Sequence, residues 1–145
     1  MSIYKNILLA IDLHPACDEI VAQRAVALVK QTQAKLTVIH AVEHINAYGV
    51  AQAYPAVVDL EHELVVEAKK QLEELTQKWG VISLDQEVQI GSPKTVILGK
   101  AEKINCDLIV VGSHGRHGLT RLFGSTATAI MHYTPCDVLI VKIRD

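Results

Sequence analysis

The sequence predicts an α/β fold: a five-stranded parallel sheet, doubly wound in the order 3-2-1-4-5, with helices on both faces. Two observations carry that expectation. Strand-like runs and helix-spaced runs alternate five times along the 145 residues. The strand-like runs are apolar almost throughout, as strands covered on both faces are. Such alternation implies parallel strands joined by helical crossovers, and right-handed crossovers lead to the doubly wound order.

The elements follow in turn. Residues 4–11 (YKNILLAI) form a short apolar run closed by Asp12, His14 and Pro15, read as a buried strand. From Pro15 to about residue 33, Cys17, Val21, Ala25 and Leu28 recur at helical spacing, with Gln23, Arg24 and Lys30 off that stripe. KLTVIHAV, residues 35–42, is rich in β-branched residues and reads as the second strand. EHINAYGVAQAYPAV has no clean period and reads as a long loop. A helix is expected over 58–79, burying Leu60, Leu64, Ala68, Leu72, Leu75 and Trp79, with Glu61, Glu67, Lys70 and Glu74 turned away. Residues 86–90 form a third strand. Ser92 and Pro93 then open a helix as cap and first residue, and Val96, Ile97, Ala101 and Ile104 form its apolar face. DLIVVG (107–112) is a central strand, 125–132 a short helix, and DVLIVKI, from Asp137 to Ile143, the last strand and a sheet edge.

Composition bounds the function. Half the residues are apolar and the formal net charge is −2, without a basic face or tail, so nothing favours a nucleic-acid partner. The length suits one domain, 1–145. Three cysteines, Cys17, Cys106 and Cys136, fit neither a disulfide framework nor a metal-binding pair, and an inert thiol is the default at Cys136. The N-terminal apolar run is too short for a signal peptide or a membrane span, so no membrane partner and a cytoplasmic location are expected.

In a doubly wound sheet, ligands bind beyond the carboxyl ends of the strands where the winding reverses, here between the first and fourth strands. Asp12 and His14 follow the first strand; Gly112, Ser113, His114 and Gly115 follow the fourth. The stretch VGSHGRHGLTRLFGST holds four glycines, more than a turn needs. Gly112 and Gly115 allow backbone N–H groups to approach a ligand closely. Gly124, Ser125 and Thr126 open a helix whose first N–H groups, with Arg116 or Arg121, suit an anion such as phosphate. Taken singly, each of these residues is better explained as a turn or a helix cap; their joint placement at the switch point is what favours an anion site. Neither the P-loop nor the dinucleotide fingerprint is present.

Seven histidines invite a metal, but neither the His40/His44 nor the His114/His117 pair has a completing carboxylate or cysteine at a known spacing, so no metal site is assigned. Asp12 is the one acidic residue expected in the pocket, and no catalytic residue is assigned.

GSHGRHGLTRLFGSTATAIMHYTPCDVLIVKI, together with KNILLAIDLH, LTVIHAV and DLIVVGSHG in order, resembles the universal stress protein (UspA-type) family over essentially the whole chain. The resemblance implies a single adenine nucleotide alpha hydrolase-like domain of the nucleotide-binding branch, whose motif is G-x2-G-x9-G-[S/T]. Gly112, Gly115, Gly124 and Ser125 match its motif residues. It implies that Asp12 contacts the nucleoside and that Ala41 meets the adenine edge through its backbone. Ser113, His114, Gly115, Arg116, Ser125 and Thr126 would hold ribose and phosphates of ATP or AMP, with Mg²⁺ allowed on the phosphates. One departure stands: eight residues separate Gly115 from Gly124 where the motif has nine, which bears more on a triphosphate than on a monophosphate. The resemblance also implies a stress-response homodimer paired through the last strand, sensing nucleotide rather than turning it over. A slow ATPase or phosphoryl-transfer enzyme, and a nucleotide-free interaction module, are the alternatives. The segment 44–57, with Tyr48 and Tyr54, is either a lid, a partner surface or a plain loop.

Overall fold

Ile7, Leu8 and Leu9 have no solvent-accessible surface, and they set the architecture. They belong to β1 (Asn6–Ala10), the middle strand of five, and their side chains alternate between two cores. The computed structural model describes residues 3–45, 54–113 and 125–143. Along the described chain follow α1 (Pro15–Thr32), β2 (Lys35–Val42), α2 (Tyr54–Gln77), β3 (Leu84–Ile90), α3 (Pro93–Lys103), β4 (Leu108–Gly112), α4 (Ser125–Tyr133) and β5 (Asp137–Val141).

The strands lie in the order β3-β2-β1-β4-β5, and every pairing is parallel, as the alternating periods predict. One face packs Ile7, Leu9 and Val38 against Val21, Ala25 and Val29 of α1 and Ala68 and Leu72 of α2. The other packs Leu8, Ile39 and Ile109 against Val96, Ile97 and Ala101 of α3 and Ala127 and Ile130 of α4. With both faces covered, a strand has no polar side to show, and β4 is accordingly apolar from Leu108 to Val111. No helix among the described residues is long and apolar enough to cross a membrane.

The amino ends of the central strands are clamped by Asp107. Its carboxylate accepts the backbone N–H groups of Lys5 (2.9 Å) and Asn6 (3.1 Å), while its own N–H donates to Asn6 O. Beside it, the Tyr4 hydroxyl donates to Asp137 at 2.9 Å.

Two expectations are corrected in α2. The helix starts at Tyr54, not at 58, with Pro55 in its first turn, a position where proline's missing N–H loses nothing. Thus the tail of the expected 44–57 loop is helix, and Tyr48 lies outside the described residues. The buried stripe is also rotated. Glu61 is 9% exposed, whereas Leu60 and Leu64 are 48% and 42% exposed. Glu61, Val65, Ala68, Leu72, Leu75 and Trp79 face inward instead. Each step of four residues overshoots a full helical turn by about 40°. A stripe drawn through three such steps, 60 to 72, therefore walks off the face that Leu72 defines. The inward Glu61 is satisfied by His44, whose Nδ1 donates to Oε2 at 2.8 Å.

Candidate functional site

β1 is hydrogen-bonded to β2 on one side and to β4 on the other, and that junction is where the winding reverses. Ala10 is level with Ile39, and Leu9 with Val110. The β1–β2 ladder continues one step, with the Ile11 N–H donating to Ile39 O at 3.0 Å. Carried past the strand ends, these registers bring Asp12 level with Ala41 on one side and with Ser113 on the other. Asp12 and Ser113 thus follow the ends of β1 and β4, while Ala41 is still within β2, paired with Gln89 of β3.

Between β1 and α1 the chain turns through Leu13, whose φ of 59° lies in the left-handed region that a branched side chain disfavours. Asp18, one turn into α1, holds this bend. Its Oδ1 accepts the Asp12 N–H at 3.1 Å. The Asp18 side chain is buried, and that burial raises its pKa from the usual carboxylate range to about 6, against the pull of the Asp12 and His14 amides. Asp12 itself is half-buried at the mouth of the bend. His14 precedes α1, and its Nδ1 is buried without a hydrogen-bond partner among the described residues.

Across the crevice, Gly112 closes β4 opposite Val141 of β5. Ser113 is 3% exposed, its N–H donating to Val141 O (2.8 Å) and its Oγ accepting the Ile143 N–H (2.9 Å). Its hydroxyl therefore fixes how β4 and β5 leave the sheet. Ala41 is half-buried near the end of β2. Ser125, exposed, opens α4, and Thr126 behind it is half-buried. His114, Gly115, Arg116 and Gly124 lie outside the described residues, as do Arg121 and His117.

His40, in β2, is buried with Nδ1 2.7 Å from Ile11 O. Because a carbonyl only accepts, Nδ1 carries the proton. No three His, Cys, Asp or Glu among the described residues lie grouped to hold a metal ion.

Sequence reasoning missed Asp18 and the Glu61–His44 pair. The signal for Asp18 was present: an acidic residue in the first turn of a helix, six positions after Asp12. Glu61 gave none, because a lone acidic residue beside a leucine stripe reads as solvated.

A five-stranded parallel sheet in the order β3-β2-β1-β4-β5, with helices on both faces, defines a doubly wound α/β protein. The universal stress protein family model matches residues 3–142. Universal stress protein A homolog 2 of Coxiella burnetii is 44% identical over 144 residues, covering 99% of each chain. The chain belongs to the universal stress protein family. Among solved structures, universal stress protein UspA from Lactobacillus plantarum is similar with a TM-score of 0.83 at 29% identity, covering 95% of this chain and 97% of that one. A universal stress protein in complex with cAMP shares the fold at 23% identity and a TM-score of 0.64, with 97% and 98% covered.

Proposed function

We propose that the protein binds an adenine nucleotide, ATP or AMP, in the crevice between the carboxyl ends of β1 and β4, and acts as a nucleotide-sensing homodimer of the cytoplasmic stress response. The observation that supports this reading is the switch point itself, where Asp12 follows β1, Gly112–Ser113 stand at the end of β4 and Ala41 is near the end of β2, on three adjacent strands. Asp12 faces the nucleoside, and the backbone at Ala41 meets the adenine edge. Gly112 leaves room for the backbone to approach ribose, and Ser113 acts by position, its hydroxyl being engaged with Ile143. Gly115, Arg116, Gly124, Ser125 and Thr126 hold the phosphates, with His114 beside them and the positive end of α4 behind. The fold neighbour in complex with cAMP supports the reading as a case of an adenine nucleotide on this scaffold.

The test is titration calorimetry of nucleotide-stripped protein with ATP, ADP and AMP, with and without Mg²⁺. Dissociation constants on the order of micromolar are expected for at least one, roughly −8 kcal/mol of binding. Gly112→Val and Ser125→Glu should each weaken that affinity at least tenfold. Unchanged affinity in both variants would remove the pocket from this crevice, and silence from all three nucleotides would remove the function.

The dimer rests on a difference between the two edges of the sheet. The β3 edge carries Asp85, Gln86, Glu87 and Gln89, charges and amides of the kind that discourage edge pairing. The β5 edge carries Val138, Leu139 and Ile140. A two-fold pairing of β5 with its copy covers that apolar edge in one closed contact. Light scattering at micromolar concentration should return the dimer mass; a monomer mass refutes the pairing.

A further inference from the structure

We propose that Cys106 and Cys136 form an oxidation site that reacts with a two-electron oxidant of the hydroperoxide class and closes to an intramolecular disulfide joining the starts of β4 and β5. The two sulfurs lie 3.5 Å apart although 30 residues separate them in sequence. Sheet register holds them there. β4 and β5 are parallel neighbours with Leu108 opposite Asp137, so Cys136, just before β5, and Cys106, two residues before β4, meet at the same end of the strand pair. The Cys106 backbone is fixed by its N–H donating to Ala101 O at the end of α3 (3.1 Å). The Cys136 backbone is fixed by its N–H donating to Thr134 Oγ1 (3.1 Å). A disulfide needs the sulfurs to close by about 1.5 Å.

The pair divides the work by burial. Cys136 is half-buried and open to an oxidant, whereas Cys106 is 6% exposed. Burial, and then the neighbouring Cys136 sulfur, push the Cys106 thiol well above its ordinary range, so it waits as a protonated second thiol. In the first step the Cys136 thiolate attacks one oxygen of hydrogen peroxide. The O–O bond breaks, a sulfenic acid forms, and hydroxide leaves as water with the thiol's proton. In the second step the Cys106 sulfur attacks the Cys136 sulfur, the S–O bond breaks, and hydroxide departs with the Cys106 proton as a second water. Two thiols lose two electrons, and one peroxide becomes two waters. The site is at the amino ends of the strands, away from the crevice at their carboxyl ends, and stands whether or not a nucleotide binds there.

The experiment treats the full chain carrying Cys17→Ser with hydrogen peroxide, then alkylates free thiols and maps peptides by mass spectrometry. A Cys106–Cys136 cross-linked peptide is expected, in protein that runs as a single chain on a non-reducing gel and regains both alkylatable thiols with dithiothreitol. In a Cys106→Ala variant, Cys136 should accumulate as a sulfenic acid that dimedone traps. The proposal is overturned if Cys136 runs on to sulfinic acid while Cys106 remains a free thiol, if both thiols survive peroxide unchanged, or if the cross-link joins two chains. The mapping on the parent chain decides the matter even if the alanine variant does not fold.

Discussion

Asp18 is a carboxyl group kept where ionisation is disfavoured, in exchange for holding the Asp12 amide. Its folded pKa of about 6 lies above the unfolded value of about 3.9. The native state therefore binds the proton more tightly. The stability Asp18 contributes is fully present below about pH 4 and is lost as pH rises through about 6, a swing on the order of 3 kcal/mol for a shift of about two units. Asparagine at this position still offers an oxygen to the Asp12 N–H. Urea unfolding of the Asp18→Asn variant should therefore show a flatter pH profile than the parent between pH 4 and 7, with the variant gaining relative stability at neutral pH. Parallel profiles for the two proteins would rule out Asp18 as the titrating group. At this scale the sequence was only partly legible. Asp12, Gly112 and Ser125 stand where the alternation of periods put them, because strand ends are visible in sequence. The contacts of Asp18, and the engagement of the Ser113 hydroxyl by Ile143, were not, because a hydrogen-bond partner is chosen by three-dimensional proximity that no local spacing records.

Helix α2 shows the same limit for whole elements. Its inward positions step by four, three, four and three from Glu61 to Leu75, the alternation that keeps a stripe on one face. Leucine content alone pulls the eye to Leu60 and Leu64. The consequence is measurable in one pair of variants. Leu72, at 1% exposure, should lose about 2–5 kcal/mol on truncation to alanine, through lost burial and the cavity left behind. Leu64→Ala should stay within about 0.5 kcal/mol, as surface substitutions do. Denaturant midpoints of the two variants settle which face is inside, and equal losses would restore the stripe drawn from sequence. The other helices were read correctly in type and nearly in extent, since Pro15 and Pro93 each stand at a helix start that their fixed φ favours.

For the molecule as a whole, the order β3-β2-β1-β4-β5 followed from alternation and handedness alone, since few other arrangements cover both faces of a parallel sheet. The same order imposes a schedule on the chain as it is made. β1 meets β2 after a single helix, but its other edge is matched by β4, and the Asp107 clamp on the Asn6 amide spans 101 residues. A nascent chain that has emerged only as far as β3 carries an open edge on its most apolar strand. It also carries a bare face at Leu8 and Ile39, because α3 and α4 are not yet made. Non-local pairing of this kind slows folding and leaves sticky intermediates. The centre of its sheet is thus among the last parts to close, because β1 keeps an open edge until β4 is made.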